Sequence, residues 1–293
     1  MTEGRFVDIG DVRLWVVERG PEDGYPIAVL HGGPGLDHHE FGDYLDPLTE
    51  HGYRLVLVDQ RAQGRSDAGD PSRWTLLKLS EDVVSLARAM GLGAYAVLGH
   101  SYGAFVALQN AVDFPGMASQ TIVSSGLPST SYMEDVWRNL EAFEPERLRE
   151  QVTSSWEREP HAQTQEDVAA LMHDQMPFHF GDPLDPRIEE FERRTAGAVY
   201  APAVLRHFAT DTYGGIDVED LLEDIATPVL VLGGRFDRTC SPAGVQAIAD
   251  GIPGAELVFF ENSGHMTFVE ENEAYLAAVV DFLGRARSRP ATP

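Results

Sequence analysis

Residues 94–113 read AYAVLGHSYGAFVALQNAVD, and this stretch decides the fold. Ala94 to Leu98 is a short apolar run of the kind that makes a buried strand. It enters Gly99-His100-Ser101-Tyr102-Gly103, after which Phe105, Val106, Leu108 and Val112 recur at helical spacing. A serine bracketed by glycines, with a strand before it and a helix after it, is the nucleophile-elbow pattern G-x-S-x-G. So tight a turn drives Ser101 toward an unfavourable backbone conformation. Side chains at 99 and 103 would strike the neighbouring strand or helix, so both are reduced to hydrogen. The pattern predicts Ser101 Oγ exposed at the strand's carboxyl end, with the Tyr102 N–H on the first helical turn aimed at whatever Oγ attacks.

Upstream, residues 5–18 alternate around Gly10-Asp11 and predict an opening hairpin. Ile27 to Leu30 is a fully apolar strand running into His31-Gly32-Gly33-Pro34-Gly35. Such a glycine-rich turn lets backbone N–H groups face a ligand, and the Gly33 amide is the expected second donor to an oxyanion. Arg54 to Val58 is the next strand. It ends in Asp59-Gln60-Arg61, where a structural Asp59–Arg61 pair is the expectation. Helical spacing over Leu76 to Met90 and a strand at Gln120 to Ser125 complete a strand–helix rhythm that implies a parallel, doubly wound α/β sheet.

From Leu127 to Ile225 that rhythm stops, and scattered aromatics and acids predict a helical insertion, with helices at Trp137–Val152 and Arg187–Phe208 around a Pro-rich break. The expected division is a core of residues 1–126 and 226–293 with a cap, or lid, at 127–225. The sheet resumes at Pro228–Leu232. A Gly-Gly turn then leads to Asp237, a helix spans Pro242 to Asp250, a strand spans Ala255 to Phe260, and Ser263-Gly264-His265 follows. An amphipathic helix, Glu273 to Ala286, precedes a tail expected to fray.

A serine hydroxyl needs a base, and a histidine base needs a carboxylate to fix its tautomer. Asp237 and His265 each follow a strand, so both emerge at the sheet edge that carries Ser101, with one helix and one strand between them. The triad is thus Ser101, Asp237 and His265. Asp59 stands in the wrong chain order to replace Asp237, and Asp211 belongs to the insertion. His100 is expected to pack or hydrogen-bond within the elbow.

Net charge is −25, a field that disfavours nucleic acid and anionic membranes as partners. The lone Lys78 follows no phosphate-binding loop, so Schiff-base and P-loop chemistry lack material. A single cysteine, Cys240, rules out an internal disulfide framework, and with no apolar leader a cytoplasmic protein is the expectation. Neither a metal nor a cofactor is expected, since metal-ligand spacings are missing.

These residues resemble the α/β-hydrolase superfamily and, within it, proline iminopeptidase-like serine hydrolases. The resemblance rests on His31-Gly32-Gly33-Pro34-Gly35, Asp59-Gln60-Arg61, the elbow, Gly234-Arg235-Phe236-Asp237 and Ser263-Gly264-His265. It implies the same triad, Gly33 and Tyr102 as oxyanion donors, and a helical cap that selects substrate. The peptidases carry G-G-S-W-G at the elbow, where this chain has G-H-S-Y-G, and glycine where it has Ala62. They hold a substrate's amine with cap glutamates, for which Glu141, Glu144, Glu189, Glu190 and Glu192 are available. The expectation is therefore a serine hydrolase, foremost an aminopeptidase for small N-terminal residues. The alternatives are a carboxylesterase, lactonase or carbon–carbon bond hydrolase, and more remotely a non-catalytic ligand-binding protein. The sequence leaves oligomeric state open.

Overall fold

The computed structural model describes residues 4–210 and 212–287. Asp211 and the tail from 288 onward lie outside the described residues. One sheet holds β1 (Arg5–Asp8), β2 (Arg13–Arg19), β3 (Tyr25–Leu30), β4 (Tyr53–Val58), β5 (Ala96–His100), β6 (Gln120–Ser124), β7 (Val229–Gly234) and β8 (Glu256–Phe260). Its spatial order is β1-β2-β4-β3-β5-β6-β7-β8. The opening hairpin is antiparallel, as is β2 on β4, and every pairing beyond is parallel.

Side chains alternate between the faces with the period of two that a pleat imposes. Ala28, Leu30, Val56, Val58, Val97 and Val123 pack with α1 (Leu76–Met90) and α2 (Tyr102–Asp113). Ile27, Val29, Leu55, Leu57, Leu98 and Ile122 lie in the opposite layer with Tyr275, Val279 and Phe282 of the last helix. Burial on both faces is why these strands read as unbroken apolar runs rather than alternating ones. The connection from β3 to β4 is built from two 3-10 turns, His38–Phe41 and Asp46–His51, instead of an α-helix.

Between β6 and β7 the described residues form α3 (Glu134–Glu141), α4 (Glu146–Arg158), α5 (Gln165–His179), α6 (Arg187–Arg194) and α7 (Pro202–Ala209), with one isolated bridge from Ser129 to Asp217. The single helix expected over 137–152 is two. Pro145 disfavours helical backbone at Glu144 and is tolerated only at a helix start, so α4 begins there. Similarly, Gly197 at φ 99° and Pro202 in the first turn of α7 divide the helix expected over 187–208. Helix α5 was not anticipated, although Thr164 and Asp167 form a capping box at its start and Pro177 sits in its final turns.

The core then completes with α8 (Pro242–Gly251), α9 (Thr267–Glu270) and α10 (Asn272–Arg287). Gly233-Gly234, expected as a turn, instead finishes β7 and pairs with Phe259 and Phe260. Close approach explains these glycines. A Cβ on Gly234 would lie 1.9 Å from the Gly264 carbonyl oxygen, and one on Gly233 2.7 Å from Val245.

Candidate active site

Ser101 stands between β5 and α2 at φ 54°, ψ −120°, a conformation that costs a side-chain-bearing residue on the order of 1–3 kcal/mol. Its N–H donates to the Ser124 carbonyl at 2.9 Å, which ties the turn to β6. The flanking glycines behave as the sequence requires. A Cβ on Gly99 would meet the Gly103 oxygen at 2.0 Å, and one on Gly103 the Leu30 oxygen at 2.2 Å.

His265 and Asp237, carried on the turns after β8 and β7, meet side by side. His265 Nδ1 lies 2.8 Å from Asp237 Oδ2. Asp237 Oδ1 accepts the N–H groups of Thr239 and Cys240, both at 2.8 Å. A carboxylate only accepts, so Nδ1 carries the proton and Nε2 is the basic nitrogen. The His265 backbone is held by its N–H to the His179 carbonyl at 2.6 Å and by the Ser125 hydroxyl to its own carbonyl at 3.0 Å. Burial disfavours the imidazolium, but Asp237, with Glu40 and Glu270 beyond it, outweighs burial and raises the pKa above its ordinary value. Two neighbouring imidazoles stay neutral. Burial and the nearness of His265 push His179 down to about 3 and take His100 well below its usual value. His100 bonds the Ser124 hydroxyl at 3.1 Å, the internal role expected of it.

The loop after β3 is braced from β4. His31 Nδ1 donates to the Gly32 carbonyl at 2.9 Å, while the Gln60 side chain donates to the His31 carbonyl at 2.8 Å. Gln63 Oε1 accepts the Gly35 N–H at 2.6 Å. The expected Asp59–Arg61 pair is not what forms. Asp59 takes His38 Nδ1 at 2.5 Å and the Arg65 N–H at 2.8 Å, while Arg61 pairs with Asp82 at 2.6 and 2.7 Å and with Asp11 at 3.0 Å. The two side chains diverge, so the scaffold role stands with different partners. Asp37, His38 and His39 bring potential metal-ligand atoms within 4.8 Å of one another. His38 is committed to Asp59, however, and His39 Nδ1 to Asp37 at 2.9 Å, so the cluster is internal bracing.

Gly33, Ser101, Tyr102 and His265 all line one cavity of about 550 Å³, with Asp237 behind the imidazole. Its walls are largely apolar, with Met133, Trp137, Trp156 and Met172 supplied by the helical segment. Four carboxylates, Asp37, Glu40, Glu159 and Glu192, also line it, and among the lining residues there is no lysine or arginine. Sequence singled out only Glu192 of these. Glu159 accepts from Tyr213 OH at 2.5 Å and from the Gln175 amide at 2.7 Å, and burial raises its pKa despite both bonds. Burial likewise pushes Glu40 up to about 7. Glu270 spans helical segment and core, with Oε1 on the Gly181 N–H and Oε2 on the Gly264 N–H, each at 2.8 Å. No motif marks Glu40, Glu159 or Glu270 among the chain's 47 acids, so sequence offered no signal for them.

A mostly parallel sheet flanked by helices, with a serine on a strained strand–helix turn, defines the class. The chain belongs to the alpha/beta hydrolase fold family, whose model matches residues 25–272. By that membership it is a hydrolase. Within the family it is similar to a proline iminopeptidase of Clostridium botulinum, with 30% identity over 89% of this chain and 90% of that one. It is also 30% identical to a proline iminopeptidase of Saccharolobus solfataricus over 89% of this chain and 86% of the other. The fold matches the crystal structure of a proline iminopeptidase from Mycobacterium smegmatis with a TM-score of 0.76 at 24% identity, covering 97% and 98% of the two chains. An esterase from Exiguobacterium antarcticum matches at 0.75 and 20% identity, covering 96% and 100%. Among the described residues no helix is long and apolar enough to cross a membrane.

Proposed function

We propose that this protein is a serine hydrolase acting through an acyl-enzyme and, foremost, an aminopeptidase that releases small N-terminal residues such as proline. Residues 127–225 serve as its cap. Ser101 Oγ attacks the scissile carbonyl carbon while His265 Nε2 takes its proton, and Asp237 stabilises the imidazolium that forms. The Gly33 and Tyr102 amides hold the tetrahedral oxyanion, with each donor worth about 3–4 kcal/mol. The imidazolium then protonates the departing amine. A water, deprotonated by the same nitrogen, attacks the acyl carbon and returns Ser101 to its hydroxyl form. No cofactor enters these steps.

The observation that carries the reading is the 2.8 Å His265–Asp237 bond beside a cavity that Ser101 also lines. The choice of an amine-bearing substrate rests on the lining acids, which are unbalanced by any lysine or arginine. A second reading, esterase or lactonase, is favoured by the predominantly apolar walls and by a volume larger than one prolyl ring needs. Turnover of proline naphthylamide, short p-nitrophenyl esters and lactones separates the two. Ester turnover with no amide turnover removes the peptidase assignment.

A further inference from the structure

Glu40 lies in the 3-10 turn that follows the glycine-rich loop, and its carboxylate reaches back toward the nucleophile. One oxygen is anchored, since Oε2 accepts the Gly32 N–H at 2.5 Å. The other faces Ser101 across the same glycine. A Cβ on Gly32 would lie 2.7 Å from Glu40 Oε1 and 3.0 Å from Ser101 Cβ, so both side chains border the same small space beside that glycine. The remaining cavity glutamates are otherwise engaged. Glu159 is committed through both oxygens to Tyr213 and Gln175, and Glu192 bonds His173 Nδ1 at 2.6 Å.

Resting on the aminopeptidase reading above, we infer that Glu40 determines specificity by accepting a hydrogen bond from an amino or imino nitrogen on the carbon next to the scissile carbonyl. The nitrogen of such a substrate is two bonds from the carbon that Ser101 attacks. It therefore falls in the gap between Ser101 and Glu40 rather than in the helical segment, where the resemblance would put amine recognition. A charged donor makes the bond strong, and neutralising an enclosed carboxylate removes the penalty of its burial. The groups facing Glu40 are His265 from the turn after β8, Asp37 on its own segment and Tyr275 from α10. Of these only His265 can become cationic, and it must be neutral to act as a base, so in the resting site the carboxylate lacks a permanent counter-ion.

The test compares p-nitrophenyl esters of proline and of cyclopentanecarboxylic acid, rings of one size differing by NH for CH2. In Glu40→Gln the ratio of their kcat/KM values, proline over cyclopentane, is expected to fall about 10- to 100-fold. Glu40→Asp, which keeps the charge, should retain more of the preference than Glu40→Gln. Glu159→Gln and Glu192→Gln, which remove only more distant charge, should lower the ratio by clearly less than Glu40→Gln does. If Glu40→Gln lowers both esters by one factor, Glu40 merely braces Gly32, and the inference is overturned while the aminopeptidase reading stands. If the wild-type protein itself prefers the cyclopentane ester, the amine-substrate reading fails first and takes the inference with it.

Discussion

Asp237→Asn perturbs one carboxylate whose three hydrogen bonds can be followed atom by atom. Asp237 Oδ1 receives two backbone N–H groups at 2.8 Å and Oδ2 receives His265 Nδ1 at 2.8 Å. An asparagine can keep its oxygen on the Thr239 and Cys240 N–H pair, but its NH2 then faces Nδ1 and donates to it. Turned the other way, the NH2 would confront two donors and lose both bonds, so the first orientation wins. The proton of His265 is thereby forced onto Nε2, the nitrogen proposed to accept from Ser101. Where such a tautomer switch has been isolated in a serine protease the turnover falls about 10⁴-fold, equivalent to about 5–6 kcal/mol of barrier. The assay is steady-state hydrolysis of p-nitrophenyl acetate near pH 8, with circular dichroism to show that the fold persists. A loss smaller than tenfold in a folded variant would refute Asp237 as the orienting carboxylate.

Two further expectations follow from the same electrostatics and packing. As the proposed base, His265 has to be neutral, and its pKa lies above the ordinary value, so kcat/KM for an amine-free ester should fall as pH drops through that raised pKa. Glu40 contributes to the elevation, so Glu40→Gln should move this limb of the pH–rate profile to lower pH. Arg61, whose side chain is fully buried between Asp82 and Asp11, braces the strand end beside the glycine-rich loop. Arg61→Met leaves Asp82 without its buried partner and should cost about 3–5 kcal/mol in urea unfolding, with Lys78 at 3.2 Å from Asp82 giving some relief.

The parts of the site that could be read from sequence are those fixed by local geometry. The elbow announces itself because a strand, a tight turn and a helix cannot be joined there unless residues 99 and 103 are glycine. That Asp237 and His265 meet could be anticipated because consecutive strands of a parallel sheet deliver their following turns to one edge. What escaped depends on distant segments meeting. Arg61 chose Asp82 and Asp11 over its sequence neighbour Asp59, a choice set by where α1 and the opening hairpin pack. Glu40 and Glu159 gained their character from enclosure alone, which no residue pattern encodes. The glycines at 233 and 234 looked like a turn because a strand residue pressed against another backbone has the same requirement for a missing side chain.

The central claim is that Ser101 is made nucleophilic by the His265–Asp237 pair. Its most direct measurement is intact-protein and peptide mass spectrometry after treatment with a fluorophosphonate, on the wild type and on Ser101→Ala. The account predicts one phosphonyl adduct, on the peptide containing Ser101, and neither adduct nor ester turnover in the alanine variant. An adduct on another residue, or undiminished turnover by Ser101→Ala, would contradict it.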